Sequence, residues 1–369
     1  LLGFADPIRS SVPRALKECY GAGIRVCMIT GDYPGTAQFI AKKIGLKNPE
    51  NCLTGSDLNK LSASELKEKI KNTNIFARVI PEQKTLIINA LKNDGEVIVM
   101  TGDGVNDAPA LKAANIGIAM GERGTDVARE TADFVLLNDD FTSIVQGVWT
   151  GRGILDNLKK AIAYIFSVHI PIAGMSFLPV VLNMPIIFFP AHIAFLELII
   201  DPSCSVVFES EAIEPNIMSR PPRDLKKKVF GKRSFIISLT QGLVVLFAVF
   251  AVFYFSLKWG RGADEARTLT FVAIVFANLM LIVTNLSWSR NFFLIIRNGN
   301  RALKFVLAGA LVFMAAVIFN PFLRQVFHFG AISFFDFLLM FFIGIMSVAW
   351  FEVYKIFLND KWRAILNKS

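Results

Sequence analysis

Six apolar runs, each long enough to cross a bilayer as a helix, lie between about residue 160 and residue 357 and leave few folds open to this chain. They fall at 160–182, 190–209, 234–257, 268–288, 303–320 and 333–357. Inside hydrocarbon every backbone polar group must be satisfied within the protein, so runs of this length are expected to be helices. The residues before about 160 have ordinary α/β composition, whereas 34 phenylalanines in 369 residues are too many for one soluble domain. The expected architecture is an α/β soluble domain over 1–150 followed by an all-α six-helix transmembrane domain over 151–369.

The formal charge of +9 does not point to nucleic acid, because the basic residues cluster between the apolar runs. Lys159 and Lys160 precede the first run. Arg220, Arg223, Lys226, Lys227, Lys228, Lys232 and Arg233 lie between the second and third. Arg290, Arg297, Arg301 and Lys304 lie between the fourth and fifth, and Lys355, Lys361, Arg363 and Lys368 mark the tail. By the positive-inside rule the soluble domain and the C-terminus are expected in the cytoplasm, with the cell membrane as the host bilayer. The Lys226 cluster is expected to contact anionic lipid. Cys19, Cys27, Cys52 and Cys204 show neither metal-ligand spacing nor a disulfide framework; the first three are read as reduced thiols of a cytosolic domain and Cys204 as intramembrane. The chain opens on Leu1 and enters a strand-like phrase stopped by Pro7, so it is expected to begin inside a longer protein.

The soluble part alternates apolar runs with helix signals, the pattern of a parallel sheet. Ile24–Ile29 reads as a strand ending in Thr30-Gly31-Asp32, with a helix over 34–44 after it. A hydroxyl followed by the amides of a helix N-terminus suits an anion such as phosphate. Residues 49–66 read as a variable excursion. Ile75–Val79 is the next strand, and Pro81 starts a helix to about Asn93 that carries Lys84 in its first turn, placed to offer positive charge to a phosphoryl group. The run 97–100 then leads into Thr101-Gly102-Asp103-Gly104-Val105-Asn106-Asp107-Ala108-Pro109-Ala110-Leu111. Two carboxylates four residues apart, with glycines that permit close approach and an amide between them, suit a hard divalent cation beside a phosphate. A strand at 116–120, a helix over 125–132 and a strand at 134–137 follow. Asp139 and Asp140, just after the strand at 134–137, are read as the cap of the helix leading to the membrane.

These motifs, with Asp6-Pro7-Ile8-Arg9, Arg78-Val79-Ile80-Pro81-Glu82-Gln83-Lys84 and Met218-Ser219-Arg220-Pro221-Pro222-Arg223, resemble those of P-type ATPases, most of all the calcium-pump-like branch. The resemblance implies a haloacid-dehalogenase-like, Rossmann-like parallel sheet and cation transport through an aspartyl phosphate, with ATP and Mg²⁺ as cofactors. It implies that Asp103 coordinates Mg²⁺, with Asn106 and Asp107 supporting that site. It further implies that Thr30, Gly31 and Lys84 contact the phosphoryl group and that Asp32 supports the loop and nucleotide binding. The nucleophile sequence Asp-Lys-Thr-Gly-Thr does not occur here. The resemblance therefore implies that the N-terminal remainder of the same pump, with its actuator domain, nucleotide-binding domain and first membrane helices, is a partner, and that the chain alone is inactive.

Intramembrane carboxylates are costly and are functional candidates by default. Glu197 and Asp201 are four apart and share a helix face, Pro202 frees a carbonyl near Leu198, and no Lys or Arg lies inside the first two spans to neutralise the pair. With His169 and a carbonyl freed by Pro171, they are the candidate ligands of a transported cation. Asn278 and Asn285 are either further ligands or helix-packing hydrogen bonds. Two other readings are a membrane-anchored phosphatase and a catalytically silent regulatory subunit. The first needs a nucleophilic Asp on an earlier strand, and none is visible in the sequence.

Overall fold

In the soluble part each apolar strand is followed by a helix whose start is written in its first residues. A computed structural model describes residues 7–366 apart from 225–227, 289, 291 and 298–299. The strand-like phrase before Pro7, together with Lys226, Lys227 and Lys368, lies outside the described residues. Two compact units emerge: one runs to Trp149 and takes in Met218–Pro222, the other holds Thr150–Ile217 and the residues from Arg223 onward.

In the first unit, α1 (Val12–Gly21) precedes β1 (Met28–Ile29), and α2 (Pro34–Ile44) starts on Pro34 and ends on Gly45, whose φ of 80° is the left-handed C-terminal turn that favours glycine. Next come β2 (Cys52–Thr54), α3 (Gly55–Leu58), α4 (Ala63–Ile70), β3 (Ile75–Ala77), α5 (Pro81–Asn93), β4 (Val99–Gly102), α6 (Ala108–Ala113), β5 (Ile116–Met120), α7 (Asp126–Thr131) and β6 (Phe134–Leu136). Residues 49–66, read from sequence as an excursion, contain a strand and two helix starts. Thr54 and Ser62 each exchange bonds with the acid three residues on, Asp57 and Glu65, in reciprocal capping boxes.

All strand pairs in this unit are parallel, but the ladder forms two three-stranded sheets, β1-β3-β2 and β4-β5-β6, rather than one continuous sheet. The reason is that β1 pairs only with β3 and β4 only with β5, so each ends its ladder. Helix α5 packs beneath both: Ile87 and Leu91 join Phe76 and Leu66, while Ile88 joins Met100, Leu111 and Ala119. Burial raises the thiol pKa of Cys19, Cys27 and Cys52, which keeps them protonated and unreactive.

Asp139 and Asp140 divide the labour expected of a cap. Asp140 accepts from Thr142 N at 3.0 Å and caps α8 (Phe141–Val181), whereas Asp139 turns away and accepts from the amides of Glu122 and Arg123 at 3.1 and 2.9 Å. Burial works against the Asp139 charge, but those amides and the Arg9 guanidinium outweigh it and hold its pKa below the usual carboxylate range. A carboxyl depressed in this way stabilises the fold above its unfolded value near pH 3.9 and loses that contribution as pH falls through its folded value. Asp139→Asn is therefore expected to lower thermal stability at neutral pH and to flatten the acid limb of a melting-temperature profile below about pH 4. An unchanged acid limb in the variant would show that these amide bonds do not carry the pH dependence.

In the second unit, α8 is followed by α9 (Pro190–Pro202), α10 (Lys232–Lys258), α11 (Ala263–Leu286), α12 (Phe292–Arg297), α13 (Arg301–Phe319), α14 (Pro321–Val326) and α15 (Phe334–Leu366). Six helical segments among the described residues are long and apolar enough to cross a membrane: Phe141–Val181, Pro190–Val207, Lys232–Lys258, Ala263–Leu286, Arg301–Phe319 and Phe334–Lys355. The first helix begins well before residue 160, because the polar stretch ahead of the apolar run also favours helix. Beyond Pro202, which lacks an amide donor, the second span continues as a π turn over Ser203–Val207. Helix α11 is buried from Ala266 to Leu286, polar positions such as Arg267, Asn278 and Asn285 included, with α10 and α15 packed on it.

Candidate functional site

Three loops leave the carboxyl ends of parallel strands, where open α/β sheets place their ligands. After β1, Thr30 N donates to Phe76 O at 2.8 Å, and Thr30 Oγ1 accepts from Asp32 N at 3.1 Å. After β3, the amides of Arg78 and Val79 donate back to Asp32 O and Thr30 O, at 3.1 and 3.2 Å. Gly31 is exposed, and a Cβ there would meet nothing within 4 Å, so packing does not account for this glycine. Arg78 adopts a left-handed φ of 54°, and a Cβ on Gly55 would lie 2.3 Å from its carbonyl oxygen. The sequence reading passed over Gln83, which is buried and donates to Gly55 O at 2.8 Å and to Asn59 Oδ1 at 2.7 Å. Its place one residue before Lys84, in the first turn of α5, was the available sign.

The loop after β4 is built around Asp107. Its carboxylate is buried, Oδ1 accepting from Lys84 Nζ and Oδ2 from the amides of Asp103 and Gly104, each at 3.3 Å. A Cβ on Gly102 would lie 2.5 Å from the Asp107 Cβ, so only glycine leaves room for this seat. Asp103 and Asn106 are exposed, and the Asp103 carboxylate makes no hydrogen bond or ion pair among the described residues. Of the two acids read from sequence as a cation pair, one organises the loop and the other keeps its oxygens open. The arrangement brings Lys84, Asp103 and Asp107 together. No direct bond joins Thr30, Gly31 or Asp32 to them among the described residues; the link runs through Val79 and the start of α5.

This donor set fits Mg²⁺ at Asp103. Mg²⁺ binds through one or two carboxylates plus phosphate oxygens and water, and needs no protein cage. The Lys84 side chain is only 18% exposed, so its charge acts in a partly dehydrated setting where it counts for more than in water.

In the membrane unit His169 and Glu197 meet, with Nε2 3.7 Å from Oε1. His169 Nδ1 donates to Ile165 O at 2.9 Å, so in the neutral ring Nε2 offers a lone pair towards the carboxylate. Two acceptors this close repel unless a proton or a cation lies between them. Asp201 is exposed, one turn further along. The carbonyl of Ser167, opposite Pro171, lies over Gly242, where a Cβ would come within 2.8 Å of it. Asn285 donates to Leu281 O and to Gln241 Oε1, which also accepts from Ser167 Oγ, so Asn285 serves helix packing. Asn278 is fully buried, and neither of its side-chain polar atoms has a partner among the described residues.

Residues 1–115 match a family profile described as haloacid dehalogenase-like hydrolase, and residues 185–357 match one described as cation transporting ATPase, C-terminus. A calcium-transporting ATPase 1 of Yarrowia lipolytica is 32% identical over 98% of this chain and 39% of its own length. One from Lactococcus lactis is 36% identical over 90% of this chain and 37% of its own. The human calcium-transporting ATPase type 2C member 1 is 31% identical over 94% and 38%. The chain thus spans about two fifths of the length of the curated relatives it matches. With its six apolar helices it is an integral membrane protein. It belongs to the P-type cation-transporting ATPases and corresponds to the C-terminal part of their calcium-pump-like branch.

Proposed function

We propose that this chain supplies the Mg²⁺-holding and phosphate-contacting loops, and six membrane helices, of an ATP-driven cation pump that works through an aspartyl phosphate. The observation that carries the reading is the double use of Asp107: Lys84 on one oxygen, the Asp103 loop on the other. One buried carboxylate thereby fixes a cation and an open carboxylate side by side, which is what a transferring phosphoryl group and its metal need.

Mg²⁺ at Asp103 would neutralise charge on the phosphoryl oxygens. Lys84 adds a fixed positive charge, and the Thr30 hydroxyl with the Gly31 amide offers donors to the same oxygens. Asn106 completes the rim, and Asp32 holds the nucleotide-facing loop. The accepting Asp is supplied by the N-terminal remainder of the pump, as are the actuator and nucleotide-binding domains and the first membrane helices. In the membrane, Glu197, Asp201 and His169 take up the transported cation. The positive-inside rule sets the soluble domain and C-terminus in the cytoplasm, in the cell membrane, with the basic loop before α10 against anionic lipid.

The test is ATP hydrolysis by the full-length protein in proteoliposomes, screening Ca²⁺, Mn²⁺, Mg²⁺, Na⁺ and pH gradients. One ion is expected to stimulate turnover, and Glu197→Gln/Asp201→Asn is expected to abolish that stimulation while the protein stays folded. Ion dependence unchanged in the double variant would place the transport site elsewhere, and no stimulation by any ion would count against a pump.

A further inference from the structure

The second span is fastened at its N-terminal end by a histidine with no exposed surface. His192 Nδ1 accepts from the amide of Phe189 at 3.0 Å, in a capping arrangement, and Nε2 donates to Phe327 O at 2.7 Å, in the segment before α15. Its ring lies parallel to Phe329 at a centroid distance of 4.7 Å, with Phe271 at 5.3 Å. The charged and titratable groups of this cluster are Arg267, Asp264 and His328. Arg267 is buried, sits 4.7 Å over the Phe189 ring, donates to Ile186 O and His328 O, and pairs with Asp264. The His328 ring lies tilted against Phe189, at a centroid distance of 4.9 Å.

This geometry is available only to the uncharged ring. A proton on Nδ1 would point at the Phe189 N–H, two donors facing each other, next to the Arg267 guanidinium and at the positive end of α9. Glu197 and Asp201 follow His192 by five and nine residues, roughly 7.5 and 13.5 Å along the same helix axis. What fixes the start of α9 therefore fixes the height of both carboxylates.

We propose that His192 is a positioning residue for the ion site, acting as a latch that holds only while the ring is neutral, so that acidity on the extracytoplasmic side loosens ion binding. The ion-site part of this inference rests on the function proposed above; the latch itself rests on the His192 contacts alone. Opened to water, the ring titrates near pH 6.5, so below that value the latched-to-open ratio falls by up to about tenfold per pH unit. Glutamine can accept through Oε1 and donate through Nε2 in the same place without titrating.

The full-length protein is reconstituted so that molecules using external ATP expose their extracytoplasmic face to the vesicle interior, whose pH is set from 7.5 to 5.0. The stimulating ion's half-saturation concentration is expected to rise in the wild type below about pH 6.5, by up to roughly tenfold per unit. His192→Gln is expected to keep the neutral value across the range, and His192→Ala to be impaired throughout. His328→Gln controls for the neighbouring histidine and should titrate as the wild type does. A thermal-stability profile of the purified proteins against pH reads the latch without any transport. Wild type and His192→Gln sharing one pH profile in both measurements would overturn the latch. Profiles that differ in stability, while Glu197→Gln/Asp201→Asn leaves ion dependence intact, would keep the latch and reject the ion site.

Discussion

Asp103→Asn in the full-length protein is expected to cut Mg²⁺-dependent phosphoenzyme formation by about 10²–10³-fold, the scale of losing one preorganised electrostatic contact to a transferring group. Stability should move by less than about 0.5 kcal/mol, because the Asp103 carboxylate is exposed and holds no partner among the described residues. Asp107→Asn should behave differently. Its oxygens accept from Lys84 and from two amides, so the amide variant turns an N–H₂ towards either the lysine or the loop. A buried donor left facing donors costs about 1–3 kcal/mol, which should appear as a lowered melting temperature as well as lost phosphorylation. Acid-stable labelling from γ-labelled ATP, read beside thermal melts, separates the two. Normal labelling in Asp103→Asn would remove that residue from the metal site, and equal melting of both variants would contradict the organising role of Asp107.

The second large effect is expected at the end of the bundle where α8 enters it. Lys160 Nζ lies 3.1 Å from Glu214 Oε1, with the two side chains only 3% and 5% exposed, and Ser287 Oγ donates to the same oxygen at 2.8 Å. Removing one charge of a buried pair strands the other, so Lys160→Met should cost about 3–5 kcal/mol. Replacing both with apolar residues, Lys160→Met/Glu214→Leu, should recover most of that loss, since desolvation nearly cancels the attraction of such pairs. The check is thermal denaturation in detergent for the two single variants and the double. A single variant that melts like the wild type would show that water reaches the pair.

Lys160 also shows where sequence reading stops. Beside an apolar run it reads as a flanking positive charge, and nothing within a window of twenty residues announces a partner 54 positions away. Arg261 and Asp336, joined by two bonds of 2.7 and 3.1 Å, are likewise far apart in sequence. Local rules did better: Pro34 and Pro81 mark the helix starts at those positions, and the strand at 116–120 is bounded as read. The Thr54/Asp57 and Ser62/Glu65 caps are equally legible, but the apolar run between them is short, so the segment reads as a variable excursion. Spacing alone gave Asp103 and Asp107 equal standing; only the seat beside Gly102 separates them. His169 stands out by its place near Pro171, whereas His192 does not, because a histidine reaching back to cap its own helix is not among the familiar capping residues.

The complete burial of α11 bears on how the bundle is assembled in the bilayer. A span with no lipid-facing side cannot rest where it is inserted: until α10 and α15 close around it, Arg267, Thr270, Asn278, Thr284 and Asn285 face hydrocarbon. Among the six, the fourth span is the one buried over its whole apolar window, so its surroundings most decide whether it stays. Biogenesis of this unit is then a matter of timing, with the last span arriving as the wall that lets the fourth keep its buried polar side chains in the membrane.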